Sequence, residues 1–283
     1  MKACHLVEFT TPRKFLLRGL WFGPKKPRRV IVFVHGLGGS VFSMRSTVDA
    51  LVAKDTAVFA FNNRGHDWMS GLSRTGTHNS KPAGRAHEVF TDCVDDIEGA
   101  LNFVRKHKVR SVYLAGHSTG CQKSAYWAFK KKSRGVQGII LLAPVSDWAA
   151  EVKRNGIKKI ARAVRIAREL VRRGKKHSLL PEGTWPQPLD AQRFLSLCTP
   201  ESVEEIFSYA LPYKLPRVLR SITKPLLILW AEKDEFGDRP VGAVQQWFEQ
   251  HAAHGRFVVV PRVGHGFRGG EQAVAQEVRA FIT

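Results

Sequence analysis

The chain has 283 residues, of which 43% are hydrophobic, and 45 Lys and Arg face 24 Asp and Glu, giving a formal net charge of +21. That apolar content can fill a sizeable core and excludes a disordered chain, and no run of 18 or more apolar residues is present to span a membrane as a helix. The basic excess describes attraction to anions such as nucleic acid, anionic lipid or acidic substrates, and it names no fold.

In chain order, strand-like and helix-like segments alternate, the pattern of a mostly parallel sheet with helices on its faces. Residues 4–10 and 14–22, separated by Thr11-Pro12, read as an antiparallel edge hairpin. Val30–Val34 is a continuous apolar run, as expected of a strand buried on both faces, and it ends in His35-Gly36-Leu37-Gly38-Gly39. A helix is predicted over residues 43–53, a strand over 56–61, and then a polar loop, Asn62-Asn63-Arg64-Gly65-His66. Residues 87–107 read as a helix, because Val94, Ile97, Leu101 and Val104 recur at three- and four-residue spacing. A strand over 111–115 leads into Gly116-His117-Ser118-Thr119-Gly120 and a helix to about Lys131, followed by a strand over 138–143. The rhythm then breaks into a basic helical stretch without a convincing strand. It resumes with a strand over 225–231, a helix over 240–251, a strand over 256–260 and a closing helix over 272–281. The organisation this suggests is a sheet domain, residues 1–145 and 224–283, interrupted by a helical cap, residues 146–223.

Gly116-His117-Ser118-Thr119-Gly120 matches G-x-S-x-G, a weak signal alone. Its context is stronger: it follows an apolar strand and opens a helix, where a strained turn would hold a serine hydroxyl above the sheet edge. A serine hydroxyl needs a neighbouring base. Among the 11 histidines, His265 is singled out because Val263-Gly264-His265-Gly266-Phe267 directly follows the last strand. A third group should orient the imidazole; Asp234, after the strand 225–231, is the favoured acid, with Glu232, Asp238 and Asp147 as alternatives. The backbone N–H groups of Leu37 and Thr119 are candidates for an oxyanion hole. His35, Gly36, His117 and Trp148 are candidate substrate contacts. The glycine-rich loop after the first central strand lacks both GxGxxG spacing and a GK[ST] ending, so it reads poorly as a phosphate cradle.

Together, His35-Gly36-Leu37-Gly38-Gly39, Asn63-Arg64-Gly65-His66, Gly116-His117-Ser118-Thr119-Gly120, Ala231-Glu232-Lys233-Asp234 and Gly264-His265-Gly266 resemble the α/β-hydrolase superfamily, in that superfamily's order. The resemblance implies the α/β-hydrolase fold: a mostly parallel eight-stranded sheet, helices on both faces and an inserted helical cap. It also implies a triad of Ser118, Asp234 and His265, and a serine hydrolase that cleaves carboxylic esters through an acyl-enzyme. One departure is Cys121-Gln122 after the elbow, where many members have a further glycine. Residues 116–122, Ala143-Pro144-Val145-Ser146-Asp147 and Lys233-Asp234-Glu235-Phe236 are also similar to a mainly fungal hydrolase family that includes esterases opening cyclic siderophores. Serine at the elbow disfavours haloalkane dehalogenase or epoxide hydrolase chemistry, whose relatives carry Asp there. Thioesterase or acyltransferase action on the same triad, and a ligand-binding protein on a hydrolase scaffold, remain as alternatives.

Residues 151–176 hold eleven Lys or Arg and two acidic residues, Glu151 and Glu169. Ile157, Ile160, Ala161, Val164, Ala167 and Val171 fall on one helical face, so the segment reads as a basic amphipathic cap helix. A solvated face is the first reading of that charge, ahead of weak attraction to an anionic substrate or anionic membrane. No nucleic-acid-reading motif accompanies it, so no specific nucleic-acid partner is expected. Trp148, Trp185, Phe194, Phe207 and Tyr209 read first as core and second as the lining of an acyl or aryl site. Four scattered cysteines and an N-terminus without a secretory-signal pattern suggest a cytoplasmic enzyme, with no cofactor or metal, a small-molecule ester as partner, and a monomeric or homodimeric state.

Overall fold

The structure, a computed structural model, describes residues 3–282. Its first half runs β1 (Cys4–Thr10), β2 (Leu16–Phe22), β3 (Arg29–Val34), α1 (Arg45–Leu51), β4 (Thr56–Phe61), β5 (Ser70–Ser73), β6 (Ser80–Ala83), a 3₁₀ turn (Phe90–Asp92), α2 (Cys93–Arg105), β7 (Ser111–His117) and α3 (Thr119–Lys131). The second half runs β8 (Gly138–Leu142), α4 (Asp147–Asn155), α5 (Ile157–Arg172), α6 (Ala191–Cys198), α7 (Arg217–Arg220), β9 (Leu226–Ala231), α8 (Val241–His251), β10 (Gly255–Val260) and α9 (Glu271–Phe281).

The runs of Val, Ile, Leu, Phe and Ala in β3, β4, β8 and β9 bury both faces of these strands, which is why they read as unbroken apolar segments. They lie inside an eight-stranded sheet of order β1-β2-β4-β3-β7-β8-β9-β10. β1 and β2 are antiparallel at one edge, and from β4 onward all neighbours are parallel. Val30, Val32 and Val34 point to one face, where α2, α3 and α8 supply Ile97, Leu101, Ala125 and Phe248. Ile31 and Phe33 point to the other, against Val48 and Leu51 of α1 and Val274 and Val278 of α9. The expected sheet with helices on both faces is therefore present.

Three expectations shift. The helix predicted from residue 87 begins only after the 3₁₀ turn, because Val89 is extended and the side chain of Glu88 is turned inward. A second sheet, the antiparallel pair β5–β6, was not foreseen. The basic amphipathic segment is two helices, since Gly156, with φ of 78°, separates α4 from α5. On α5 the buried residues are Ile160, Ala163 and Ala167, which pack with Trp185, Phe194 and Leu197 into a separate apolar cluster, while Ile157 and Val171 are exposed.

The helical segment between β8 and β9 is tied to the sheet through buried charge. Lys123 of α3, fully buried, meets Glu88 at 2.5 Å; Glu88 meets Arg193 of α6 at 3.1 Å; and Arg193 pairs with Glu204. Burial opposes ionisation of Glu88, but Lys123 and Arg193 win and hold its carboxyl below the usual range. Asp190 caps α6 by accepting the Arg193 N–H, and its other oxygen lies 3.1 Å from Nδ1 of both His87 and His177. Removing one partner of such a network leaves uncompensated buried charge. Glu88→Gln is therefore expected to destabilise the protein by about 3–5 kcal/mol in urea unfolding. A change below about 0.5 kcal/mol would contradict this account of the tie.

Candidate active site

Because β3, β7, β8, β9 and β10 are parallel, the loops after them all emerge at one edge of the sheet, the usual position of a ligand site in such sheets. Val34 is in register with Gly116, Leu142 with Leu229, and Val260 with Ala231. The loop carrying Leu37, the turn at Ser118, and the loops carrying Asp234 and His265 are therefore neighbours.

Ser118 links β7 to α3 with φ 55° and ψ −128°, a left-handed conformation that strains a non-glycine residue. The flanking glycines make that turn possible. A Cβ at Gly116 would overlap the Gly120 carbonyl, and one at Gly120 would overlap the Val34 carbonyl. The departure at Cys121-Gln122 braces the turn. The Cys121 thiol lies between the carbonyls of Gly116 (3.1 Å) and Leu142 (3.2 Å), which share its one proton, and Gln122 Nε2 donates to the Val145 carbonyl and to Asp147 Oδ2.

His265 Nδ1 lies 2.8 Å from Asp234 Oδ2, and Asp234 Oδ1 accepts the Phe236 N–H at 2.9 Å. With the carboxylate ionised, Nδ1–H donates and Nε2 becomes the basic position of the ring. The loop is fixed further by the His265 N–H donating to Glu235 Oε2, and by His117 Nε2–H donating to the His265 carbonyl. Burial, then the neighbouring His265, push His117 down to about 3, so its ring is neutral near pH 7. The alternative acids have other partners: Glu232 accepts the Arg262 N–H, Asp238 pairs with Arg239, and Asp147, which lies in the lining of the Ser118 cavity, accepts from Gln122. Burial, with Glu204 and Glu205 nearby, raises Asp147 well above the usual carboxylate range.

Ser118 and His265 line one cavity of about 230 Å³, together with the expected Leu37, Thr119 and His117. Thr119 is the first residue of α3, so its N–H has no acceptor within the helix. Gly36 lies directly against Ser118. His35 is not in the lining: its Nδ1–H donates to the Gly36 carbonyl and its Nε2 accepts the Asn63 N–H, so both nitrogens serve the backbone. Its burial is the main reason it is pushed down to about 3. Trp148 is also elsewhere, in a groove of about 520 Å³ beside Ile157 and Pro200, because α4 turns it away from Ser118. Trp185, Phe194, Phe207 and Tyr209 are core.

Asp147, an alternative acid of the sequence reading, also lines the cavity, as does Val145. The remaining lining escaped the sequence reading: Arg85 from the loop after β6, Ala150, Glu151 and Arg154 from α4, Leu197 from α6, and Phe236, whose ring centroid is 4.5 Å from that of His265. Phe236 alone had a local signal, two positions after Asp234. Two larger hollows, of about 390 and 520 Å³, contain neither Ser118 nor His265. Among the described residues no group of His, Cys, Asp and Glu is placed to hold a metal ion, and no helix is long and apolar enough to cross a membrane.

Comparison with known proteins agrees with this architecture. Siderophore hydrolase EstB from Aspergillus fumigatus has a TM-score of 0.69 at 17% identity, over 99% of this chain and 97% of that one. Carboxylesterase CesB from Bacillus subtilis has a TM-score of 0.60 at 16% identity, over 99% and 92%. At such identities the likeness establishes the α/β-hydrolase fold. Protein phosphatase methylesterase 1 of Candida albicans is 27% identical over 128 residues, which is 45% of this chain and about a third (32%) of that protein. The family described as "Protein of unknown function (DUF1749)" matches residues 22–257, most of the sheet and all of the helical segment, and the chain belongs to that family.

Proposed function

We propose that this protein is a serine hydrolase cleaving carboxylic esters, with Ser118 as nucleophile, His265 as base and Asp234 as the acid that orients it. The observation that carries the reading is that His265, whose Nδ1 lies 2.8 Å from the buried Asp234 carboxylate, lines the same small cavity as a serine held at a strained strand-to-helix turn. Ser118 Oγ attacks the ester carbonyl carbon while its proton passes to His265 Nε2. The N–H groups of Leu37 and Thr119 receive the negative charge that develops on the carbonyl oxygen. Collapse of that intermediate expels the alcohol, which takes the proton from His265, and leaves an acyl group on Ser118. Water then attacks the acyl carbon, giving its proton to Nε2, and the carboxylic acid leaves as Ser118 Oγ is reprotonated.

In this reading residues 146–223 are a cap that roofs the cavity, with Ala150, Glu151, Arg154 and Leu197 facing substrate and His117 and Gly36 shaping its floor. The names of its relatives agree with ester chemistry: a methylesterase, a siderophore hydrolase and a carboxylesterase. The expected result with the purified protein is turnover of p-nitrophenyl acetate or butyrate well above the rate in buffer. No turnover of any ester, in a panel varied in chain length and charge, would refute it.

A further inference from the structure

Arginine is charged at all working pH values, and burying its guanidinium is costly unless an anion pairs with it. Three arginines are buried among the described residues: Arg64, Arg85 and Arg193. Arg64 sits among Asp92, Asp95 and Asp96 at 2.6–2.9 Å, and Arg193 between Glu88 and Glu204. In both, nearby carboxylates outweigh burial and raise the pKa.

Arg85 differs. It is 8% exposed, makes no ion pair, and donates to one neutral side chain, Gln187 Oε1, while its guanidinium lies 4.6 Å over the Trp68 ring. Its Nε–H is buried and has no partner. Burial, then the neighbouring cation Arg193, lower it to about 10, in the direction opposite to the other two. This side chain lines the cavity of Ser118 and His265, and its stem packs against Gly38, next to Leu37. Neither carboxylate of that cavity forms an ion pair with it: Glu151 accepts from Asn155 Nδ2 at 2.7 Å and Asp147 accepts from Gln122, and the attraction of Glu151 for Arg85 through space is outweighed by burial and Arg193. Arg154, at the surface end of the lining, adds a second guanidinium.

We infer that Arg85 is a specificity-determining residue: its unpaired, buried guanidinium in the cavity of Ser118 receives a carboxylate carried by the substrate, so the preferred substrates are esters that bear a free carboxylate. The inference rests on the ester-hydrolase reading and deepens it. A guanidinium fork matches a carboxylate with two parallel hydrogen bonds, and in a cavity of about 230 Å³ it would fix the ester carbonyl relative to Ser118.

The test compares carboxylate and amide forms of otherwise matched esters: 4-acetoxybenzoate with 4-acetoxybenzamide, which vary the alcohol side, and methyl hydrogen adipate with methyl adipamate, which vary the acyl side. Wild-type kcat/KM should favour the carboxylate member of at least one pair by about tenfold or more. That preference should weaken with rising salt. A hydrogen bond to a charged group supports a ratio change of about 10–100-fold, so Arg85→Met should lower the carboxylate-to-amide ratio by that factor and Arg85→Lys should recover part of it. The wild-type ratio and its salt dependence need no variant, and they stand even where Arg85→Met folds poorly. Calorimetric binding of 4-hydroxybenzoate against 4-hydroxybenzamide supplies a readout that needs no turnover. A wild-type ratio near one for both pairs, or a ratio unchanged in Arg85→Met and Arg85→Lys, overturns the assignment while ester hydrolysis stands. If none of the four esters is turned over, the hydrolase reading fails on these substrates. Calorimetry then decides Arg85 separately: carboxylate-selective binding lost in Arg85→Met supports it, and equal binding of acid and amide overturns it.

Discussion

Ser118→Ala is expected to lower kcat/KM for p-nitrophenyl butyrate by about 10⁵-fold or more, with circular dichroism and the unfolding midpoint close to those of the parent. The size follows from the chemistry: without the hydroxyl there is no acyl-enzyme, and water must attack directly. The small structural effect follows from the turn. Its shape is set by the closely packed glycines at 116 and 120 and by backbone bonds, Ser118 N–H to the Leu142 carbonyl at 3.0 Å and Cys121 N–H to the Ser118 carbonyl at 2.8 Å. None of these uses the side chain. Retention of most of the activity would remove Ser118 as nucleophile whatever happened to stability.

Asp234→Asn should cost about 10⁴-fold in kcat, with KM little changed. The carboxylate makes Nδ1 the protonated nitrogen of His265 and leaves Nε2 as the base. An amide can present its NH₂ to Nδ1 instead, which favours the other tautomer and leaves Nε2 with a proton when it should accept one. The bond from the Phe236 N–H to Oδ1 can survive as a bond to the amide oxygen, so the loop should keep its shape. Asp238→Asn is the matched comparison: Asp238 stands in the same loop and pairs with Arg239 rather than with His265, so less than about a threefold change is expected. If the two substitutions had equal effects, the assignment of the acid would be wrong.

The fold was legible where burial is complete. The inner strands β3, β4, β8 and β9 match the sequence reading to within one residue at each end, because a strand covered on both faces must be apolar throughout; the exposed edge strand β1 also matches, its end marked by the Thr11-Pro12 break. β5 and β6 were missed because Ser70-Gly71-Leu72-Ser73 offers a single large apolar residue and the partner strand contains Pro82, so neither shows an alternating pattern. The break at Gly156 was hidden by apolar spacing that continues across it, and tertiary packing chose Ile160, Ala163 and Ala167 as the buried stripe over Ile157 and Val171.

Within the candidate site, Ser118, Asp234, His265, Leu37 and Thr119 each lie just beyond, or at the turn closing, a readable parallel strand, so topology alone gathers them at one edge. Arg85, Glu151, Arg154 and Leu197 come from the irregular loop after β6 and from the helical segment. Their convergence depends on how that segment docks through Glu88, Arg193 and Asp190, a long-range result with no local signature. Trp148 went astray for the same reason: its place in α4 was readable, but the side of the helix it occupies was not.

The most direct test of the central claim is phosphonylation by a fluorophosphonate, which reacts with a serine only when a neighbouring base activates it. Peptide mass spectrometry should find the adduct on the peptide containing Ser118. Labelling should be lost in Ser118→Ala and slowed strongly in His265→Ala. An unlabelled protein, or an adduct on another residue that persists in Ser118→Ala, would contradict the account.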